Sequence, residues 1–373
     1  MLPALPPDRL LLGPGPSPTA PSVLLALARP TLGHLDPWLL ARMDELRAGL
    51  REVFRAPNGT ALALSSTGTS GIEHVVFHLV EPGERVLIGS SGYFGARLAE
   101  IARRAGADVI VVEGAWGRAL DPDALRKAAA GKRCKLVALV HGETSTGVLQ
   151  DPRPYRALAD ELGALLALDC VTTLGTAPLE FEAWGLDAAW SCSQKGLACV
   201  SGLAPVCFSA RALQAIRARR TPVASFYFDL ALLLDYWGGA RGYHHTASSN
   251  LLIALHEALR LVLEEGLPAR WQRHERNARV LWSGAAERGL ELLVPEAERL
   301  PALTTLKVPA GVDDARARKM LLERYDLEIG GGLGPLKGQV WRIGLMGHGS
   351  SERNARLALG ALCTAIDEQR RRG

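Results

Sequence analysis

Between residues 61 and about 210 the chain alternates short apolar runs with stretches of helical character, and few folds satisfy that alternation. The runs are Ala61–Leu64, Arg85–Ile88, Val109–Val112, Leu136–Val140, Ala164–Leu168 and Ala204–Phe208, with Leu186–Trp190 reading as a further strand end. Between most of them lie stretches of alanine, leucine and arginine. Short buried strands alternating with helices predict an α/β fold with a mostly parallel sheet covered on both faces. In such sheets ligands sit beyond the carboxyl ends of the strands. The polar residues just after each apolar run are therefore the candidates for chemistry.

Composition bounds the rest. A chain of 373 residues, 48% hydrophobic and 22% charged, is an ordinary globular chain with room for a large core and two domains. The formal charge of +4 is spread along it, and the one basic block, Arg370-Arg371-Arg372, reads as a solvated helix end. No nucleic-acid partner is expected. Six cysteines stand at 134, 170, 192, 199, 207 and 363 without a C-x-x-C pair. They read as small reduced hydrophobes of a cytoplasmic protein. Neither a signal peptide nor a membrane span is expected, since the first residues lack a cationic leader and no apolar run is long enough.

Residues 1–22 are Pro-rich (Leu2-Pro3-Ala4-Leu5-Pro6-Pro7, then Gly13-Pro14-Gly15-Pro16-Ser17-Pro18) and predict an extended arm lying over another part of the protein or over a partner subunit. An amphipathic helix follows over 38–54. The alternating segment belongs to a large domain, 23–265. From about residue 251 the pattern changes to long helices, Leu251–Gly266 and Leu267–Arg288. A strand at Thr304–Val308, a helix near 313–325, a strand at Val340–Leu345 and a helix over 351–372 complete a small α+β domain, 266–373.

Four strand ends carry chemistry. Ser65-Ser66-Thr67-Gly68-Thr69-Ser70-Gly71 precedes a predicted helix Ile72–Val80. Such a loop offers N–H groups, hydroxyls and a positive dipole end to a phosphate, but Ser and Thr are also plain helix caps; the loop alone does not separate the two. It is neither a Walker loop nor a G-x-G-x-x-G fingerprint. In Gly89–Gly95 an aromatic beside glycines can stack on a planar ring or belong to the core. His141-Gly142-Glu143-Thr144-Ser145-Thr146-Gly147 crowds more polar groups into one turn than a hairpin needs. Asp169, directly after apolar residues, needs a partner if buried. It is either a helix cap or the holder of a protonated ring nitrogen.

Then comes Ser191-Cys192-Ser193-Gln194-Lys195-Gly196-Leu197. The chain has seven lysines among 43 lysines and arginines, and Lys195 alone lies among small and apolar residues. A desolvated lysine loses its proton more easily and can form a Schiff base. A surface lysine in a loop is the plain alternative. His74 and His78 share a helix face but lack the glutamate of H-E-x-x-H, so they read as core or helix-face histidines and not as metal ligands.

Taken in order, these features resemble the pyridoxal-phosphate enzymes of fold type I, with a large domain, a mostly parallel sheet and a smaller C-terminal domain. The wording resembles the class V aminotransferases, and within them the alanine–glyoxylate and serine–glyoxylate (serine–pyruvate) enzymes. The likeness runs from Leu12–Ser17 through His141-Gly142-Glu143, Asp169 and Ser193-Gln194-Lys195. It continues through Ser225–Leu230, Tyr243-His244-His245-Thr246 and Gly331–Pro335 to Arg342–Gly347.

The resemblance implies pyridoxal 5'-phosphate held by Lys195 as an internal aldimine, with Asp169 on the pyridine nitrogen. It implies Thr67, Gly68, Thr69 and Gln194 at the phosphate, Phe94 stacked on the ring, Thr144 by the ring oxygen and Val171 beneath the ring. Tyr243 and Thr246 would come from the neighbouring subunit of a homodimer, and Arg342, with Gly15 nearby, would take the substrate carboxylate. The implied activity is ping-pong amino transfer from alanine or serine to a 2-oxo acid such as glyoxylate. Phe94 stands where some members carry tryptophan, and Thr69 where others carry histidine. Ureidoglycine or phosphonate donors are alternatives. A desulfurase would need a histidine over the ring and a cysteine on a mobile loop, and a scaffold protein would not need Lys195, Asp169 and Arg342.

Overall fold

The computed structural model describes residues 7–372, so the Leu2–Pro6 part of the predicted arm lies outside the described residues. Seven strands form the main sheet: β1 Thr60–Leu64, β2 Arg85–Ser90, β3 Asp108–Glu113, β4 Leu136–Val140, β5 Leu165–Asp169, β6 Ala188–Trp190 and β7 Ala204–Phe208. Their order is β1-β7-β6-β5-β4-β2-β3. Only β7 runs against its neighbours; the other pairs are parallel. Every residue of β4 and β5 is buried, because helices cover both faces, and that is why their sequences are continuously apolar and not alternating. The edge strand β3 is only half-buried and carries Asp108 and Glu113 at its ends.

Register aligns the strand ends. Val140 lies opposite Asp169, and Asp169 opposite Trp190, so β4, β5 and β6 stop together and the segments that follow share one edge. The helix after β1 runs Gly68–Leu79 and so starts four residues before the predicted Ile72. Its first turn is the Ser/Thr/Gly loop itself, and the Ser70 hydroxyl accepts the Thr67 N–H at 2.9 Å.

A second sheet, of β8 Leu303–Lys307, β9 Gly330–Gly331 and β10 Val340–Gly344, is antiparallel in the order β8-β10-β9. Helices Leu267–Glu287, Asp314–Tyr325 and Glu352–Arg372 pack with it around a separate core that includes Leu281, Leu321, Trp341 and Leu362. The larger core runs from Ala20 to Leu267. Among the described residues no helix is long and apolar enough to cross a membrane. All six cysteines are unpaired.

The arm docks within its own chain. Leu10 and Leu11 pair in parallel with Leu327 and Glu328, and Leu12 is fully buried in the second core. It stops being extended two residues earlier than predicted, because Pro21 opens a short helix, Pro21–Leu27, at a position where its missing N–H costs nothing. Leu12→Ala should cost about 2–5 kcal/mol in urea unfolding, as for other fully buried leucines. A loss within error would show that the arm is not part of the small domain's core.

Candidate active site

The residues singled out at the strand ends meet at the carboxyl edge of the main sheet. Asp169 ends β5 and is 3% exposed. One oxygen, Oδ1, takes the Val171 N–H at 2.9 Å, and no cation pairs with the carboxylate among the described residues. Burial pushes its pKa up to about 7, and the negative charge of Glu143 pushes the same way, against the Val171 N–H. The loop after β1 presses onto the ends of β5 and β6. A Cβ on Gly68 would lie 3.2 Å from Val171 Cγ2 and 3.3 Å from Cys192 Cβ, so the backbone comes close enough here that any larger residue would push these neighbours by a few tenths of an ångström.

Lys195 sits on the loop that leaves β6. Burial lowers its pKa; the nearby Arg342 charge adds to this, while Cys192 and Asp169 oppose it. Its Nζ donates to the Pro14 carbonyl. The arm crosses directly above it: Gly15 has φ +111°, and a Cβ there would fall 2.6 Å from Lys195 Cδ. Ser17 ties the arm down, its N–H donating to the Gln194 carbonyl and its hydroxyl to the Lys195 carbonyl, each at 2.8 Å. Gln194 Oε1 is buried without a hydrogen-bond partner among the described residues.

The small domain contributes Arg342, on β10 and 6% exposed. Nε donates to the Gly331 carbonyl at 2.8 Å and Nη1 to the Thr144 carbonyl at 3.0 Å. Nη2 has no partner among the described residues, which leaves an edge free for an anion. Burial lowers the Arg342 pKa to about 10, opposed by Glu143. Thr144 lies in a hairpin made by Gly142–Glu143 and Val148–Leu149, and its hydroxyl bonds the Thr172 hydroxyl.

Glu143, quoted in a motif but given no role, turns out to organise the aromatic strand end. Fully buried, it accepts from Gly95 N at 3.2 Å, Ser145 N at 3.0 Å and Ser145 Oγ at 2.6 Å, with Phe94 N at 3.4 Å. It thus caps the helix Tyr93–Arg104 with a carboxylate at the positive dipole end. Phe94 is held half-buried on the first turn of that helix.

Gly68, flanked by Thr67 and Thr69, therefore lies against Val171 and Cys192 beyond Asp169, Gln194 adjoins Lys195, and Arg342 bonds the Thr144 carbonyl. Tyr243 and Thr246 do not join that group: both are exposed, and no hydrogen bond or ring contact links them to it among the described residues. Their neighbour His245 bonds Ser65 Oγ through Nε2 at 3.1 Å. His74 and His78 are buried helix residues with ring centroids 4.3 Å apart. No cluster of metal-ligating side chains occurs among the described residues.

A family model described as Aminotransferase class-V matches residues 26–337. The chain belongs to that family. An alanine–glyoxylate aminotransferase of Drosophila melanogaster is 39% identical over 98% of this chain and 94% of its own. The crystal structure of an alanine–glyoxylate aminotransferase from Nostoc sp. superposes with a TM-score of 0.96 at 47% identity, covering 98% of this chain and 97% of that one. A ureidoglycine–glyoxylate aminotransferase from Bacillus subtilis also superposes at TM-score 0.96, with 37% identity over 98% and 95% of the two chains. This class-V aminotransferase thus has the fold of the pyridoxal-phosphate-dependent transferases.

Three arginines escaped the sequence reading. Arg270 is buried on the helix Leu267–Glu287 and donates to the Gly196 carbonyl at 2.7 Å and the Gly175 carbonyl at 2.9 Å, while pairing with Glu265. One turn on, Arg273 donates to the Gly347 and Ser350 carbonyls, and His274 Nε2 accepts the Gly347 N–H at 3.0 Å. The spacing Arg270-x-x-Arg273-His274 places all three on one helix face, the signal that could have revealed them. The third is Arg97, which bonds Thr69.

The protein's pH behaviour tests the Asp169 environment. Its folded pKa, about 7, exceeds the ordinary 3.8, so its contribution to apoprotein stability is present at low pH and is lost as pH rises from about 4 through about 7. Asp169→Asn apoprotein should therefore melt higher than the wild-type apoprotein at roughly pH 8, the advantage shrinking towards roughly pH 4. Equal melting curves at both pH values would contradict a carboxylate buried without a cation.

Proposed function

We propose that this aminotransferase moves the amino group of a small L-amino acid, alanine or serine, to glyoxylate by a ping-pong mechanism. The observation that carries the reading is the pairing of Arg342, whose Nη2 edge is free, with the arm that crosses Lys195 at Gly15. The first suits an α-carboxylate. The second leaves little space over the reacting lysine, which favours small side chains. The names of the Drosophila and Nostoc relatives point the same way.

The residues fit pyridoxal phosphate at the ring nitrogen. Asp169 is a buried carboxylate lacking a cation, as a pyridinium N–H requires. Thr67, Gly68, Thr69 and Gln194 would hold the phosphate, Phe94 and Val171 the ring faces, and Thr144 the ring hydroxyl. The bound cofactor supplies an electron-withdrawing ring that acidifies the substrate α-carbon. Lys195, its pKa lowered by burial, both anchors the cofactor and is the base that takes and returns the α-proton. Arg342 orients the substrate so that this proton faces Lys195.

Homodimerisation belongs to the same reading. Leu25, Phe226 and Tyr243 are 68%, 72% and 65% exposed, as expected of surfaces that a second copy covers, and Tyr243 and Thr246 would then reach the partner's phosphate site. Six unpaired cysteines agree with a cytoplasmic location. A second reading, with ureidoglycine as donor, is favoured by the equally good superposition of the Bacillus enzyme.

The test is spectroscopic. Protein loaded with pyridoxal phosphate should lose its visible absorption band on addition of L-alanine or L-serine and regain it with glyoxylate. Strong turnover of a dicarboxylic donor would overturn the small-substrate assignment, and bleaching by ureidoglycine alone would favour the second reading. Lys195→Ala should form no lysine-bound cofactor band. Arg342→Ala should lower kcat/KM about 10–100-fold through KM, the loss for a charge-assisted pair of roughly 1.5–3 kcal/mol. An unchanged KM would remove Arg342 from substrate binding.

A further inference from the structure

We propose that Arg97 is a positioning residue for the cofactor: through Thr69 it supplies the positive charge and the hydroxyl orientation that hold the phosphate end. This rests on the cofactor reading above. Arg97 lies one turn beyond Phe94 on the helix Tyr93–Arg104, so its side chain folds back over the first turn. Its guanidinium carbon stands 5.0 Å from the Phe94 ring centroid and 5.2 Å from that of Tyr93. Beyond the rings, Nη1 donates to Thr69 Oγ1 at 3.0 Å.

That bond has a direction. A hydroxyl whose oxygen accepts from a guanidinium has its own proton left to donate elsewhere. Thr69 is exposed at the first turn of the helix Gly68–Leu79, where N–H groups also lack intrahelical partners. With Arg97 on its oxygen, the Thr69 O–H is freed for an anion at that helix end, and the charge-assisted bond makes it a stronger donor.

Charge balance gives a second, independent argument. The loop Ser65–Gly71 contains no lysine or arginine, while Asp169 and Glu143 are buried nearby. A nearby cation would strengthen the hold of such a loop on a phosphate dianion. Arg97 forms no ion pair among the described residues, although Glu100 on the same helix pairs with both Arg103 and Arg104. Its charge also reaches the site, where it acts to lower the Asp169 pKa against burial. A surface arginine would be expected to take the nearby carboxylate; this one faces the loop.

Apoprotein titrations with pyridoxal phosphate and with pyridoxal, which lacks the phosphate, separate the possibilities. Arg97→Gln should weaken pyridoxal phosphate binding at least about five-fold and pyridoxal less than about two-fold, as befits loss of a charged hydrogen bond. Arg97→Lys should recover part of the loss, since it keeps the charge without the planar fork. Thr69→Val should lose affinity in the same phosphate-dependent way, and in that background Arg97→Gln should cost less than in the wild type. Matched melting temperatures of the apoproteins establish that the variants are folded.

Equal losses for the two ligands would overturn the proposal, because Arg97 would then act only by bracing Phe94. So would unchanged affinity in Arg97→Gln. Wild-type protein that binds no pyridoxal phosphate would overturn the cofactor reading itself, a failure distinct from either of these.

Discussion

A parallel sheet covered on both faces leaves polar side chains one place to gather, its carboxyl edge, and this site depends on that constraint. The strands β4 and β5 are buried throughout, so their sequences carry no polar residue until Asp169, the last residue of β5. The carboxylate is held there at a cost, visible in a pKa pushed to about 7. Such a group is tolerated where a ligand completes it. Glu143 shows the other solution, a buried carboxylate satisfied by backbone N–H groups at a helix start. Two acids thus sit close together with different roles, set by what donates to them.

The lysine loop is held from three directions. From below, Arg270 binds the Gly196 carbonyl; from above, Ser17 of the arm binds the Gln194 and Lys195 carbonyls. From the small domain, the Gly347 turn packs against it: a Cβ on Gly347 would lie 3.1 Å from the Gly196 carbonyl oxygen. That turn is in turn fixed by Arg273 and His274. Both the arm and the small domain therefore bear on the backbone of the three residues Gln194–Gly196. A shift of either would be felt at Lys195 before any side chain moved.

Much of this was legible in the sequence, and the reason differs by element. The strands announced themselves because burial on both faces demands unbroken apolar runs, Asp169 because it is the polar exception after such a run, and Lys195 because it is a lysine among small and apolar residues in a chain with few lysines. The start of the helix at Gly68 was not legible, since glycine and serine are poor helix formers and that turn is held by side-chain capping. Nor was the pairing of Leu10 and Leu11 with Leu327 and Glu328, because a two-residue parallel ladder between segments far apart in sequence leaves no periodicity to read. Arg97 and Arg270 were hidden among many arginines; only contacts distinguish them from surface charges.

The arm also bears on how substrate size is set. A rigid cover over the lysine need not contact a substrate side chain to select against a large one; it need only resist displacement. Leu12 is anchored in the small-domain core and Ser17 on the lysine loop, so the four residues between are tethered at both ends. Gly15, in the middle, has a positive φ that other residues adopt only with strain. Moving this segment aside would mean releasing one anchor or the other. Selection for small amino acids would then come from the stiffness of the tether, not from the shape of any one side chain.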